Sequence, residues 1–488
     1  MSTFSLIKFF GKHTLIILLV LALSVRLYRI SNPVADWHAF RQADTASVTR
    51  EYVKHGINLL VPRYHDLSNI ASGKDNLDGY RMVEFPINNA LAAIIIQALP
   101  SSNLVLVSRL ISVAWSLLGI IALYYLVKDL SGKATAVLSA LTMAVLPYSV
   151  YYSHAILPEP ATLACYVTSF WFFQIWTKKH SVGWLLMSTI AFALALQFKP
   201  FVIFLTPVFL TLMMINWRKQ DWINPLNWLQ IGLMAVASVG PLLWWRHWIE
   251  QFPSGIPAND WLFNGNKIRF RPAWARWLFW ERLTKLMLGF IGIIFLFANL
   301  ADLKKKTVLV YAAWWLGILT YFSVIATGNV QHDYYQVIVL PILAISVGRG
   351  LLILDKLLTR SLPQASRYFF LCSLYIAMLV LSWQQVKGYF NVNHWEYVRA
   401  GKAVDAILPA DAKVIAPAFG DTMFLFQTNR TGWPIGFEID DKIELGAEYY
   451  VSTSLDDEAR ELLKKYHIIE QTPEFIILDL QKPNEELP

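Results

Sequence analysis

Apolar runs long enough to cross a bilayer recur down this chain, separated by short hydrophilic links. A helical crossing of about 30 Å of hydrocarbon takes about 20 mostly apolar residues. Such runs fall at about 13–30, 87–127, 134–151, 159–176, 183–198, 201–216, 228–247, 278–300, 308–327, 335–354 and 368–388. Leu99-Pro100-Ser101-Ser102 interrupts 87–127, and one crossing there gives eleven transmembrane helices where three give thirteen. The pattern is that of an α-helical polytopic membrane protein.

The links set the orientation. "KDLSGK" (Lys128–Lys133), "TKKH" (Thr177–His180), "WRKQD" (Trp217–Asp221), "DLKKK" (Asp302–Lys306) and "DKLLTR" (Asp355–Arg360) are short and basic, which marks the cytoplasmic side. Lys8 and Lys12 precede "TLIILLVLALSV", and Ala22 and Ser24 mimic a signal-peptide cleavage site. Arg26 and Arg29 follow at once and many spans come after them, so the segment reads as an uncleaved first helix with its N-terminus in the cytoplasm. Parity then places the loops 31–86, 150–158, 199–200, 248–277 and 328–334, and everything after about 390, on the external face. Several helices enter the membrane from that face at Pro86, Pro160, Pro200 and Tyr335. Their N-termini offer free N–H groups and partial positive charge, which suit phosphates and carboxylates.

From about 391 to 488 the character changes: a helix at "EYVRAGKAVDAIL", strands at "KVIAPA" and "EYYVSTS", a helix at "DDEARELLKKY" and a strand at "EFIILDL". That alternation predicts a small extracytoplasmic α/β domain after a transmembrane domain spanning 1–390.

Composition agrees: 56% of residues are hydrophobic and 16% charged, against roughly 25% charged in soluble domains. The net charge of +8 sits in the short links, so it reports topology and argues against nucleic acid as a partner. Cys165 and Cys372 both lie in apolar runs, which leaves no disulfide framework or zinc cluster.

The unusual polar residues gather in the external loops. "DWHAFRQADTASVTREYV" carries Asp36, His38, Arg41, Gln42 and Asp44. Asp44 also fits the N-cap of a helix "TASVTREYVKH" ending at Gly56, and Asp36 fits a solvated loop acid. "RMVEFPINN" places Glu84 before a helix start, where an acid is favourable in any case. "YSHAILPEPATL" holds His154 and Glu159, and a carboxylate at the mouth of an apolar span is costly enough to suggest function. "GNVQHDYYQV" brings His332, Asp333, Tyr334 and Tyr335 to the interface, where tyrosines are ordinary belt residues. Lys199 in "LQFKP" is an external cation against the charge bias, which suggests an anionic partner. No span has a carboxylate at its centre, as a transporter needs near the midplane. A surface site for a lipid-borne anion fits better, with carboxylates as base or cation ligands and Lys/Arg on a phosphate.

Taken in order, the acidic first loop, "EFPINNALAAIIIQALP", "LPEPATL", "QFKP" and "HDYYQVIVLPILAI" resemble the polytopic GT-C glycosyltransferases. The resemblance is to the glycosyltransferase family 39 group of protein O-mannosyltransferases and lipid A aminoarabinose transferases, and it spans most of 10–390. It implies transfer of a sugar, with inversion, from a polyprenyl-phosphate donor to an extracytoplasmic lipid, glycan or protein. It also implies a multi-pass protein of the bacterial inner membrane with the C-terminal domain in the periplasm. Carried over by position, Glu84 matches an acid that can bind a divalent metal in relatives, Glu159 the acid of the later loop, and Lys199 a lysine of the donor region. The adjacent Asp-Glu pair of the family's first loop is replaced by Arg41-Gln42, so Asp44 or Asp36 must supply the base. The resemblance therefore implies Asp44, Asp36 and Glu159 as catalytic candidates. Donor-phosphate contacts fall to Lys199, Arg41, His332, Tyr334 and Tyr335, and a metal to Glu84 and Asp44. A transporter or flippase of a lipid-linked saccharide is the alternative, and a non-catalytic assembly factor a third reading.

Overall fold

A computed structural model describes residues 13–484; Lys8 and Lys12, which frame the expected first helix, lie outside the described residues. The chain is mostly helical with one small sheet near its C-terminus. Among the described residues, four helical stretches are long and apolar enough to cross a membrane: Leu104–Ser131, Pro225–Ile249, Asp333–Leu358 and Gln364–Ile407. Six shorter apolar helices accompany them. The interrupted run 87–127 is two helices, Ile87–Ala98 and Leu104–Ser131.

The run 278–300 is not one helix. A π-helix over Arg276–Met287 ends where Gly289 and Phe290 both take positive φ (51° and 61°), and a short α-helix follows at Ile293–Ala298. Gly289 tolerates that conformation because it has no Cβ, whereas Phe290 is held there at a cost.

The chain folds into two compact units. The first comprises Met1–Tyr28, Ser112–Arg246 and Asn259–Gly388. Within it Arg26, fully buried at the end of helix Thr14–Arg26, donates to Ala144 O at 2.7 Å and Met143 O at 3.2 Å. A guanidinium there meets the free carbonyls at the C-terminus of helix Lys133–Val145. Helices Glu159–Lys179 and Val182–Phe198 form an antiparallel hairpin pinned by Ser169 and Ser188, whose hydroxyls lie 2.9 Å apart.

The second unit comprises Arg29–Ile111, His247–Ala258 and Tyr389–Pro488. Its sheet has the order β2-β1-β3-β5-β4, with β1 Lys413–Ile415, β2 Thr431–Trp433, β3 Tyr449–Ser452, β4 Tyr466–Gln471 and β5 Ile476–Pro483. The strands β2, β1 and β3 are parallel; β5 runs antiparallel to both β3 and β4. Two apolar layers flank it, one with Ile415, Trp433, Tyr450 and Leu478, the other with Val414, Val451, Phe424 and Ile477. The three strands and two helices expected in this region are present, and β2 and β4 are additions.

The outer edge of β2 is covered by the segment between the first two apolar runs. Gly432 donates to His65 O at 2.9 Å, and Leu67 donates to Gly432 O at 2.8 Å, in parallel register. Position 432 takes only glycine, since φ is +155° and a Cβ would stand 1.7 Å from Val414 O. The same segment carries helix Ala39–His55, which packs Val48 and Tyr52 against Ala90 and Ala93 of helix Ile87–Ala98. Asn89 ties the two helices by donating to Thr45 O at 2.6 Å.

Candidate active site

In the second unit, helix Ala39–His55 begins five residues before Asp44, with His38 at its N-cap in the left-handed region (φ 54°). The end at Gly56 is where the sequence places it. Asp44 is therefore not a cap, and its side chain is free for tertiary partners. Both carboxylate oxygens have one: Arg81 Nη2 lies 2.8 Å from Oδ2, and Thr422 Oγ1 donates to Oδ1 at 2.7 Å. Asp44 is 8% exposed. Glu84 pairs with Arg41, so the expected metal ligand and the expected phosphate contact neutralise each other.

Asp36 is also buried rather than a solvated loop acid. It pairs with fully buried Arg109 at 3.1 Å and accepts from Gln42 at 2.8 Å. Arg109 donates in turn to Ile30 O at 3.0 Å and Asn32 O at 2.8 Å, so this pair fixes the chain leading into the helix.

Next to Asp44, Asp66 begins the strand-like segment on β2. Burial pushes its carboxyl up to about 6, against hydrogen bonds from Ser68 that pull it down. Asp421 is raised mainly by burial, with Asp44 as a further cause.

In the first unit the structure brings together four residues singled out from the sequence. Lys199 Nζ lies 3.1 Å from Glu159 Oε1, 5.1 Å from the Tyr335 ring centre and 5.8 Å from that of Tyr334. The Lys–Glu contact is close, yet off the line of a directed hydrogen bond, so it acts through charge. A cavity of about 20 Å³, roomy enough for one water, lies among Glu159, Lys199, Tyr321 and Tyr335. His332 stacks on Tyr334 with ring centres 5.3 Å apart, and the indole of Trp261 meets it edge-on. His154 is buried beside Tyr151.

The α-helix N-terminus expected after Lys199 is not there. Pro200–Leu205 is a 3₁₀ helix and the α-helix starts at Pro207. Lys199 instead follows the C-terminus of Val182–Phe198, where a cation is favoured.

Four partners escaped the sequence reading, Arg109 of Asp36 among them. Arg81, like Lys199, is a cation in a loop expected from the sequence to be external, and that signal could have found it. Arg282, on the π-helix, lies 3.4 Å from fully buried Asp333, whose other oxygen accepts from Tyr152. Thr422 carries no local signal at all.

A divalent cation is a candidate at Asp44 and Glu84. Each of these carboxylates is engaged by a guanidinium, and among the described residues no three His, Cys, Asp or Glu side chains are grouped to hold an ion. As arranged, the pair does not fit a resident metal.

Residues 86–245 match the family described as dolichyl-phosphate-mannose-protein mannosyltransferase. No curated protein matches the chain in sequence. Among solved structures, ArnT from Cupriavidus metallidurans bound to undecaprenyl phosphate superposes with a TM-score of 0.64 at 14% identity, over 96% of this chain and 98% of that one. The oligosaccharyltransferase of Archaeoglobus fulgidus, in complex with Zn and sulfate, gives 0.57 at 13% identity, over 97% and 74%. AglB from the same organism, with an inhibitory peptide and a dolichol-phosphate, gives 0.59 at 12% identity, over 100% and 75%. Such low identities carry the fold rather than the substrate. The chain shares its fold with these solved structures along almost its whole length.

Proposed function

We propose that the protein is an inverting glycosyltransferase that moves a sugar from a polyprenyl phosphate to an extracytoplasmic acceptor. In this reading it lies in a bacterial inner membrane with its N-terminus in the cytoplasm and residues 391–488 outside. One observation carries the reading: the shared fold extends over almost the whole chain to proteins solved with undecaprenyl phosphate and with a dolichol-phosphate.

Asp44 takes the proton of the acceptor's hydroxyl or amine as its oxygen or nitrogen attacks the anomeric carbon. The bond from that carbon to the phosphate oxygen breaks, and the polyprenyl phosphate leaves carrying the electron pair. Within the first unit, Lys199, its ammonium largely desolvated beside Tyr334 and Tyr335 with His332 stacked on Tyr334, is the proposed contact for an anionic phosphate. Glu159 serves as counter-ion that aims Lys199, and Asp36 as the counter-ion of Arg109. No step is routed through a metal.

The test is mass spectrometry of envelope glycans, lipids and proteins from cells with and without the gene. One sugar lost from an acceptor, with its polyprenyl-phosphate donor retained, is the expected result. An unchanged envelope overturns the reading. A flippase would instead leave the lipid-linked saccharide accumulated on the inner leaflet.

Lys199→Ala is expected to weaken donor binding by about 1.5–3 kcal/mol, roughly ten- to a hundredfold in apparent KM. The change also strands the buried Glu159 carboxylate, which can itself destabilise. Lys199→Ala/Glu159→Gln removes that penalty and should recover stability without recovering donor affinity. Unaltered donor kinetics in the double variant would leave Lys199 as a purely structural partner of Glu159.

A further inference from the structure

The candidate base is held from two directions, and one of them comes from near the end of the chain. Arg81 fixes Oδ2 of Asp44, and its guanidinium lies 5.0 Å from the Tyr64 ring centre. Thr422 fixes Oδ1 at 2.7 Å, with its hydroxyl also 3.2 Å from Phe40 O. We propose that Thr422 is the positioning residue of the base, so that the C-terminal region completes the active site; this rests on Asp44 being that base.

The geometry around Thr422 fits the role. It is 6% exposed and opens the short helix Thr422–Gln427, whose N-cap Asp421 accepts from Met423 N at 2.8 Å. That helix is docked on the Asp44 helix and on the chain either side of it. Arg50 donates to Phe426 O at 2.9 Å and lies 4.6 Å over the Phe426 ring. Gln427 donates to Val34 O at 2.8 Å, and the imidazole Nε2 of His65 sits 3.2 Å from Thr422 O. The pairing of residues 65–67 with Gly432 adds a further tie between the pieces 29–111 and 389–488.

A β-branched side chain has few χ1 choices, so a threonine on a docked helix presents its hydroxyl in one direction. A carboxylate has about four lone-pair sites. With a guanidinium on one oxygen and a hydroxyl on the other, the carboxylate plane is set and the remaining lone pairs have a fixed aim. A general base must meet its proton within hydrogen-bond reach, and misorientation lowers the rate of transfer without altering how the donor binds.

The test complements a strain lacking the gene and follows how fast the lost envelope sugar returns after induction, per amount of protein in the membrane. Thr422→Val keeps the shape and removes the hydroxyl, and should slow return about ten- to a hundredfold. Thr422→Ser should restore a rate within about threefold of the parent, since a hydroxyl donor is kept. Melting temperatures of the two purified variants should agree, which a purely structural role would not give. Asp44→Asn/Thr422→Val should be no slower than Asp44→Asn. If the valine variant does not accumulate, Thr422→Cys, with its weak S–H donor, should fall between serine and Asp44→Asn. A parental rate in Thr422→Val or Thr422→Cys beside an inactive Asp44→Asn overturns the positioning role alone. A parental rate in Asp44→Asn overturns the base assignment, and this inference with it.

Discussion

Asp44→Asn should reduce sugar transfer by about a hundred- to ten-thousandfold, the range of a general base, while the protein still inserts and folds. Asparagine has the volume of aspartate, and its carbonyl can accept from either Arg81 or Thr422, so the local packing survives. What it lacks is a lone pair basic enough to take a proton in the transition state. Asp36→Asn, compared at matched folded protein because it leaves Arg109 unpaired, is the control, since it changes an equally buried acid in the same loop. Transfer rates at matched protein levels decide between them. Loss in Asp36→Asn with full activity in Asp44→Asn would move the base to Asp36.

Arg109→Met should destabilise the protein by about 3–5 kcal/mol, the cost of leaving one member of a buried ion pair alone. The Arg109 and Asp36 side chains are 0% and 3% exposed, so water cannot replace the missing partner. Two backbone carbonyls, of Ile30 and Asn32, lose their donor as well. The readout is thermal melting of the purified protein in detergent, together with the amount recovered in membranes. Arg109→Met/Asp36→Asn should regain part of the loss, because the uncompensated charge is gone. A single variant that melts like the parent would mean that the pair is solvated in the working enzyme.

Hydrophobic periodicity made the membrane class legible, because it depends only on residue type along the chain. The end of the Asp44 helix was legible for a similar reason: Gly56, at φ 91°, is a local stop. Its start was not. The stretch before Asp44 lacks a capping signal and is set by His38 in the left-handed region. The strand β2 is only Thr431–Trp433, too short for an alternation to show, and it exists because β1 and residues 65–67 flank it. The break at Gly289–Phe290 is hidden inside an apolar run, where glycine content alone does not separate a kink from a close helix contact. Of the site, the residue types were legible and the pairings were not. Arg81 with Asp44, Arg41 with Glu84 and Arg109 with Asp36 join positions that only the folded chain brings together. Lys199 with Glu159 is of the same kind, and it shows that an apparently misplaced cation can have a partner inside the protein.

The second unit is built from three separated pieces of chain, residues 29–111, 247–258 and 389–488. A ribosome makes the helix bearing Asp44 long before it makes Thr422 or Gly432, and domains form only once their parts exist. During that interval the segment at His65–Leu67 has no β2 to pair with, and Asp44 lacks one of its two partners. On the proposed assignment, Asp44 is held from both sides only after Thr422 has been made. A chain stalled or truncated before its last hundred or so residues, however well inserted, is expected to be silent toward its substrates rather than a slow or promiscuous transferase. On that reading the later piece is a completeness check on each new molecule.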